Sequence, residues 1–490
     1  MDPISRRRFM ERSVATGALT TVASILPRAL SAAAIGPNET IQVGVIGVGG
    51  KGLDHVNQLT RIAGTRIVAL CDVDPGRVAQ AQTLLDKTGI KAKHYQDMRE
   101  VLDNPEIDAV TIATPNHWHA TATIWACQKG KDVYCEKPVT QNLWEGARVV
   151  DAARKYDRIV QAGTQNRSDT GFRQAIEYIR EGALGKILWL HGLWFKDRAS
   201  IGYVSGPQLI PPGLDYNLWT GPAPLEPLMR KNLHYDWHWN WDTGNGDMGN
   251  LGAHQIDDCA HVLNVETTPK RFLGLGGRFA RTDDGETPNM QAVLFEFDGA
   301  PPCIVEVRGL TERSGSTTLP NVRGLNTGNI VQCENGYFAG GRDGGTIYDN
   351  SGKPLKQFPG DGGATHMENW IEAVRSRKRD GMRAEIAVGV RSANLCHLAN
   401  LAYRSGLPTA TKDVTSRISE FGHAVEAVDA IAANLAAHDV DLNRDPLACS
   451  GWMGFDPQKM VFSGTDHEAS IAGALARRTY REPFATPASV

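Results

Sequence analysis

Three stretches of this 490-residue chain set chemically capable side chains at spacings that could work together. In YCEKPV, residues 134–139, Lys137 stands between Glu136 and Pro138, and the proline ring holds it in extended backbone and admits a cis bond. In GNGDMGNLGAHQIDD, residues 244–258, a glycine-rich loop runs into a helical pattern. Asn250 and His254 lie four apart there and so share a face, which Asp257 extends. In GVGGKG, Gly47, Gly49 and Gly52 form a G-x-G-x-x-G turn, which lets backbone approach a pyrophosphate. Asp72 follows at the end of the next strand, where a carboxylate accepts both ribose hydroxyl protons and repels a 2′-phosphate. Together they predict a dinucleotide site, NAD in preference to NADP, although Arg77 could pair with a 2′-phosphate. Oxidising an alcohol needs a proton acceptor while hydride leaves carbon, and a lysine beside a cationic ring has its pKa lowered toward that role. A lone Lys-Pro reads more readily as a solvated lysine before a turn.

The elements needed to position these residues are legible as patterns. From Ile41, the apolar runs IQVGVIG, RIVALCD, DAVTIATP, DVYCEKP and RIVQAGTQ alternate with helical segments. Residues 40–163 therefore predict an N-terminal Rossmann domain of the α/β class, a doubly wound parallel sheet. Residues 164–414 carry strand candidates with long connections and few helices, which predicts an α+β domain with a large open, mainly antiparallel sheet, closed by helices near 367–375 and 384–404. Residues 415–490 read as a helical C-terminal extension. At the other end, Arg6, Arg7 and Arg8 head an apolar run over 14–26 and a small-residue stretch at 31–34. The run is too short to span a bilayer. SRRRF before it resembles a twin-arginine signal, so residues 1–34 are expected to be an address for folded export to the periplasm, with the export machinery as a partner. Fifty-two basic against 55 acidic residues, with no basic stripe, argue against nucleic acid. The eight cysteines lack a CxxC pair and read as small buried hydrophobes.

The combination of ATPNHWH at 113–119, YCEKP at 134–138 and a glycine-rich lead into a histidine-bearing helix resembles the glucose-fructose oxidoreductase, inositol dehydrogenase and rhizopine-catabolism family (Gfo/Idh/MocA) over most of residues 40–410. The resemblance implies that Lys137 lies between substrate hydroxyl and nicotinamide. It also implies that Thr114, Pro115, Asn116 and His119 line the nicotinamide side, and that Glu136 supports the cofactor ribose. The family helix carries an aspartate four residues before a histidine, both reaching the reacting hydroxyl. His254 matches. Asn250 departs, because an amide cannot take a proton near neutral pH. Arg167, in GTQNRS, and Asp257 are expected at the polyhydroxylated substrate, with a surface salt bridge as the rival role for the arginine. HYDWHWNWD, residues 234–242, offers aromatic faces for sugar C–H surfaces or an alternating half-buried strand. His117 with His119, and His234 with His238, lack a third ligand at sensible spacing, so no metal is expected.

The implied activity is hydride transfer between a secondary alcohol of a sugar, polyol or glycoside and a tightly held nicotinamide cofactor, in a homo-oligomer. Two alternatives stay open. One is a redox-neutral glycoside hydrolase, lyase or epimerase working through a transient keto-sugar; the other is a sugar-binding protein without turnover, for which Asn250 is the argument.

Overall fold

The computed structural model describes residues 40–490; the twin-arginine-like segment lies outside the described residues. The first sheet contains β1 (Ile41–Ile46), β2 (Thr65–Cys71), β3 (Lys93–Tyr95), β4 (Ala109–Ile112), β5 (Asp132–Cys135) and β6 (Val160–Ala162), in the order β3-β2-β1-β4-β5-β6. Every pair in it is parallel. All residues of β4, β5 and β6 are buried, as an unbroken apolar strand requires when helices cover both faces of its sheet. Strand order reverses between β1 and β4, and the carboxyl ends of the strands open a crevice at such a switch point. The glycine turn after β1, the Thr114 segment after β4 and the Glu136–Lys137 pair after β5 all emerge at that edge.

The second sheet joins β7 (Ile187–Phe195), β8 (Arg271–Gly277), β9 (Met290–Glu296), β10 (Cys303–Arg308), β11 (Thr327–Cys333), β12 (Gly336–Gly341), β13 (Gly344–Tyr348), β14 (Pro354–Pro359), β15 (Leu407–Thr409) and β16 (Leu447–Cys449). Its order is β14-β13-β12-β11-β7-β10-β9-β8-β16-β15, antiparallel throughout except for β7 with β10. Phe172, Ile256, Val293, Val305, Phe338 and Leu398 meet in its largest core, between sheet and helices.

Four elements depart from the sequence reading. The helix His366–Ser376 was expected to close the second sheet; instead Met367, Trp370, Ile371 and Val374 pack with β1 and β2 in the first domain. The following helix, Ile386–Ser405, is buried on so much of its circumference that it serves both cores, with Ile386, Val390 and Ala393 on one and Leu395, Leu398 and Leu401 on the other. The C-terminal region contains helices, Gly422–Ala436 and Asp466–Leu475 among them, but also β16, which extends the large sheet beside β8, and a hairpin of Gly454–Asp456 with Val461–Ser463. Trp237 and Trp239 sit on a 3-10 turn, Asp236–Trp239, with Trp241 in the turn that follows, and none of the three is on a strand.

The last residues strap the first domain. Tyr480 donates from its hydroxyl to Glu145 at 2.9 Å, and Phe484, 2% exposed, packs edge-on against Trp118 in the core below β4 and β5. Burying such a ring contributes about 2 kcal/mol of transfer free energy.

Candidate active site

A cavity of about 450 Å³ runs along the switch-point edge, from the glycine turn to the helix that carries His254. Gly47 has φ +77°, and a Cβ there would sit 2.7 Å from the Ala113 carbonyl carbon. A Cβ on Gly52 would lie 1.9 Å from the Gly47 oxygen, so the third glycine lets the helix pack on the turn. Gly49 has nothing within 4 Å of the position its Cβ would take: the second glycine faces open cavity. The helix Gly50–Leu59 starts with no side-chain cap, which leaves its first N–H groups for an anion. At the end of β2, Asp72 is locked in place, Oδ2 accepting from Val48 N at 2.9 Å and Oδ1 from Asp74 N at 3.0 Å. Burial raises its pKa and these two backbone donors oppose the rise. Arg77 lines the same end of the cavity.

At the opposite end Lys137, Asn250 and His254 converge. The Lys137 ammonium donates to the Asn250 backbone oxygen at 2.6 Å and to its Oδ1 at 3.2 Å, leaving one of its three N–H groups for another acceptor. Burial pulls the lysine pKa down; the Glu136 charge pulls the other way. The helix expected to carry both Asn250 and His254 is broken between them, into Gly246–Asn250 and Gly252–Leu263 with Leu251 at the join. Both side chains nevertheless reach the cavity. The His254 ring lies against Trp194 with centroids 5.7 Å apart, and its buried Nδ1 has no hydrogen-bond partner. Burial, then the Lys137 charge, lowers its pKa to about 3, so the ring is neutral across the working pH range.

Glu136 is the ionised floor of the site. Its Oε1 accepts from His55 Nε2 at 3.1 Å and from Gln165 Nε2 at 2.9 Å. Burial alone would raise its pKa, but the His55 hydrogen bond and the Lys51, His55 and Lys137 charges hold it well below the usual carboxylate range. Gly163 leaves room for that carboxyl: a Cβ would come within 2.7 Å of it. His119 ties two segments together, with Nε2 2.8 Å from the Thr114 oxygen and Nδ1 2.6 Å from the oxygen of Pro138, which follows a cis bond. Burial pulls this ring toward neutrality against the two carbonyls, and a neutral imidazole satisfies one of them. Thr114, Pro115 and Asn116 line the same wall; Thr114 Oγ1 is buried without a partner, and Asn116 Nδ2 donates to Asn245 Oδ1 at 2.9 Å.

Arg167 and Asp257 are elsewhere. They form a buried ion pair in which the single Arg167 Nε–H is shared between the two carboxylate oxygens at 2.9 and 2.8 Å, with neither residue lining the cavity. Ser392 Oγ also donates to Asp257. The expected substrate contact is replaced by a strut that ties the turn after β6 to the His254 helix and to Ile386–Ser405. Asp257 does lie near the His254 stripe, but one turn deeper, where the helix is covered on all sides; only 1% of it is exposed.

Other lining residues gave little warning. Lys51 lies inside the glycine motif, while Arg342 comes from the turn after β12 and carries no local signal. Trp118, Trp219, Tyr235, Trp237 and His238 form an aromatic wall. Of these, Tyr235, Trp237 and His238 belong to the aromatic stretch, with the Trp237 and His238 rings stacked at 3.6 Å. His117 is no candidate ligand, since its ring nitrogens face the Thr243 and Trp219 oxygens. The glycine cradle, the uncapped helix start, Asp72 and the unpartnered Thr114 Oγ1 and His254 Nδ1 fit a pyridine dinucleotide along this cavity.

Comparison with known proteins agrees with that geometry. Residues 41–164 match the Gfo/Idh/MocA oxidoreductase family's NAD-binding Rossmann fold, and residues 194–273 match the family's C-terminal α/β domain. Inositol 2-dehydrogenase of Salmonella paratyphi B is 36% identical over 173 residues, 35% of this chain and 50% of that protein. The Ralstonia nicotianae enzyme of the same name is 34% identical over 154 residues, 31% of this chain and 45% of that protein. The chain thus spans about half the length of the curated relatives it matches. Among solved structures, the WlbA dehydrogenase of Bordetella pertussis in complex with NADH and UDP-GlcNAcA superposes with a TM-score of 0.55 at 18% identity, over 75% of this chain and 98% of that one. Levoglucosan dehydrogenase in complex with NADH and levoglucosan gives 0.54 at 19% identity, over 74% and 98%. At these identities the likeness is one of fold.

Proposed function

We propose that this chain, which carries the two domains of the Gfo/Idh/MocA oxidoreductases, is an exported NAD-dependent oxidoreductase acting on a secondary alcohol of a sugar, cyclic polyol or glycoside. The observation that carries the reading is the convergence of Lys137, Asn250 and His254 in one cavity with the glycine turn and Asp72. When bound, the nicotinamide supplies the hydride acceptor and donor. Lys137 takes the hydroxyl proton at Nζ, and burial, which pulls its pKa below the ordinary lysine value, enlarges the share of free amine available for that step. Asn250 holds the lysine through two oxygens. In place of a carboxylate it orients without charging, so proton acceptance rests on the lysine alone. Neutral His254, which lines the same end of the cavity, makes a hydrogen bond to the same hydroxyl. Glu136 supports the lysine electrostatically from below, and Trp219, Tyr235, Trp237 and His238 exclude water and offer faces to sugar C–H groups. Asp72 favours NAD over NADP.

The SRRRF stretch supports twin-arginine export in the folded state, with cofactor already aboard. Away from the cytoplasmic pool, each turnover has to regenerate the oxidised cofactor within the site, by a second sugar or by the same substrate after a bond has been cleaved. The second route is the redox-neutral lyase or glycosidase reading, and it uses the same residues.

The experiment is native mass spectrometry of the purified chain, followed by absorbance near 340 nm on adding inositol, levoglucosan and simple glycosides. A retained NAD and a reduced-nicotinamide band that rises with one sugar and falls with another support the oxidoreductase. Release of free sugar without net absorbance change supports the redox-neutral route. No bound or titratable nucleotide, or full turnover by Lys137→Ala, overturns the proposal.

A further inference from the structure

A second cavity, of about 380 Å³, shares no lining residue with the first. It lies where the C-terminal strap meets the helix Ile386–Ser405, and three arginines line it, Arg404, Arg477 and Arg478, against one acid, Asp242. The Arg478 side chain is 10% exposed. Its Nη1 donates to the Asp242 backbone oxygen at 2.8 Å, and its Nη2 stands 3.9 Å from an Asp242 carboxylate oxygen. Its Nε and Nη2 have no hydrogen-bond partner. Arg404 lies over the Trp241 ring at 4.6 Å and Arg477 over Trp144 at 4.1 Å, so both guanidiniums are held by aromatic faces. Among the described residues neither forms an ion pair. Burial lowers the pKa of Arg478 and of Arg404; the carboxylates that oppose it are Glu145 and Asp242 for the first, Glu286 and Asp242 for the second.

A buried guanidinium with two donors on one edge that lack a hydrogen-bond partner is an expensive arrangement unless something accepts them. That edge matches the two oxygens of a carboxylate or phosphate. We propose that this cavity binds a small oxyanion, the phosphate or carboxylate group of a small molecule, on the Nε and Nη2 edge of Arg478, with Arg404 and Arg477 supplying the neutralising charge. The site borders the catalytic cleft: Asn245 lines it, and the Asn245 amide oxygen receives the Asn116 amide of the first cavity.

The test is calorimetric titration of the full-length purified protein, in low-chloride buffer, with inorganic phosphate and separately with citrate. Saturable binding of either is expected; phosphate alone identifies a phosphoryl ligand and citrate alone a carboxylate one. Arg478→Gln should weaken binding by about tenfold or more, as loss of a charge-assisted fork does, while Lys137→Ala should bind like the parent. A thermal melt checks that each variant is folded. If Arg478→Gln does not fold, Arg404→Gln and Arg477→Gln decide, each with an expected loss of severalfold. Absence of saturable binding of both anions, or parent-like affinity in the folded arginine variants, overturns the proposal. Neither result depends on the oxidoreductase reading.

Discussion

At the residue scale, the chemistry rests on one amine whose environment is decided by burial. Lys137 has its pKa pulled below the ordinary 10.5. The reactive free amine therefore grows in as pH rises through that lowered value, and kcat/KM should rise along a basic limb whose midpoint lies below 10.5. Lys137→Ala should lower kcat by about 10²-fold or more and abolish the limb, with nucleotide binding retained; pH profiles and fluorescence titration of NADH measure the two effects. Asn250→Asp puts a carboxylate where an amide oxygen now meets the ammonium at 3.2 Å. The negative charge favours the protonated lysine, so the limb should move up by about one unit. A limb that stays in place would show that another group titrates. His254, neutral above about pH 3, should contribute no step near 6.5.

At the element scale, the glycine turn divides labour among its three glycines, and substitutions should separate them. Gly52→Ala drives a methyl into the Gly47 carbonyl at 1.9 Å, so helix and strand have to part; loss of soluble folded protein or a large drop in thermal midpoint is expected. Gly49→Ala meets no protein atom within 4 Å, so the fold should melt like the parent. A methyl there still occupies the approach path of a pyrophosphate, so NADH affinity should fall by about tenfold or more in the same protein. An unchanged affinity would argue against a dinucleotide along this turn. The two short helices meeting at Leu251 follow the same logic, since the break lets backbone Asn250 O and ring His254 face one space.

At the scale of the whole molecule, the C-terminal strap and the helix Ile386–Ser405 hold the domains in the relation that the cavity needs. Phe484 is buried against Trp118, whose indole N–H donates to the Leu218 oxygen on the aromatic wall. Phe484→Ala should cost about 3 kcal/mol, read as a lower denaturant midpoint at constant slope. It should also loosen the wall and raise KM more than it lowers kcat. A variant as stable as the parent would mean that the strap adds nothing to the first domain.

Much of the architecture and the cofactor half of the cavity were legible in sequence because they depend on local rules. Strand–turn–helix alternation, a glycine where the turn needs positive φ and an acid at the end of β2 are each written in short stretches of sequence whose spacing the repeated strand–helix unit fixes. The substrate half was legible only as residue types. Whether Arg167 and Asp257 would face the substrate or each other, where the helix His366–Ser376 would pack, and that Arg342, Gly163 and His55 belong to the site depend on contacts between segments distant in the chain. Helical periodicity shows which residues share a stripe but not how deep along that stripe solvent ends. That depth is set by whichever other segments pack on it, and only the folded chain decides it.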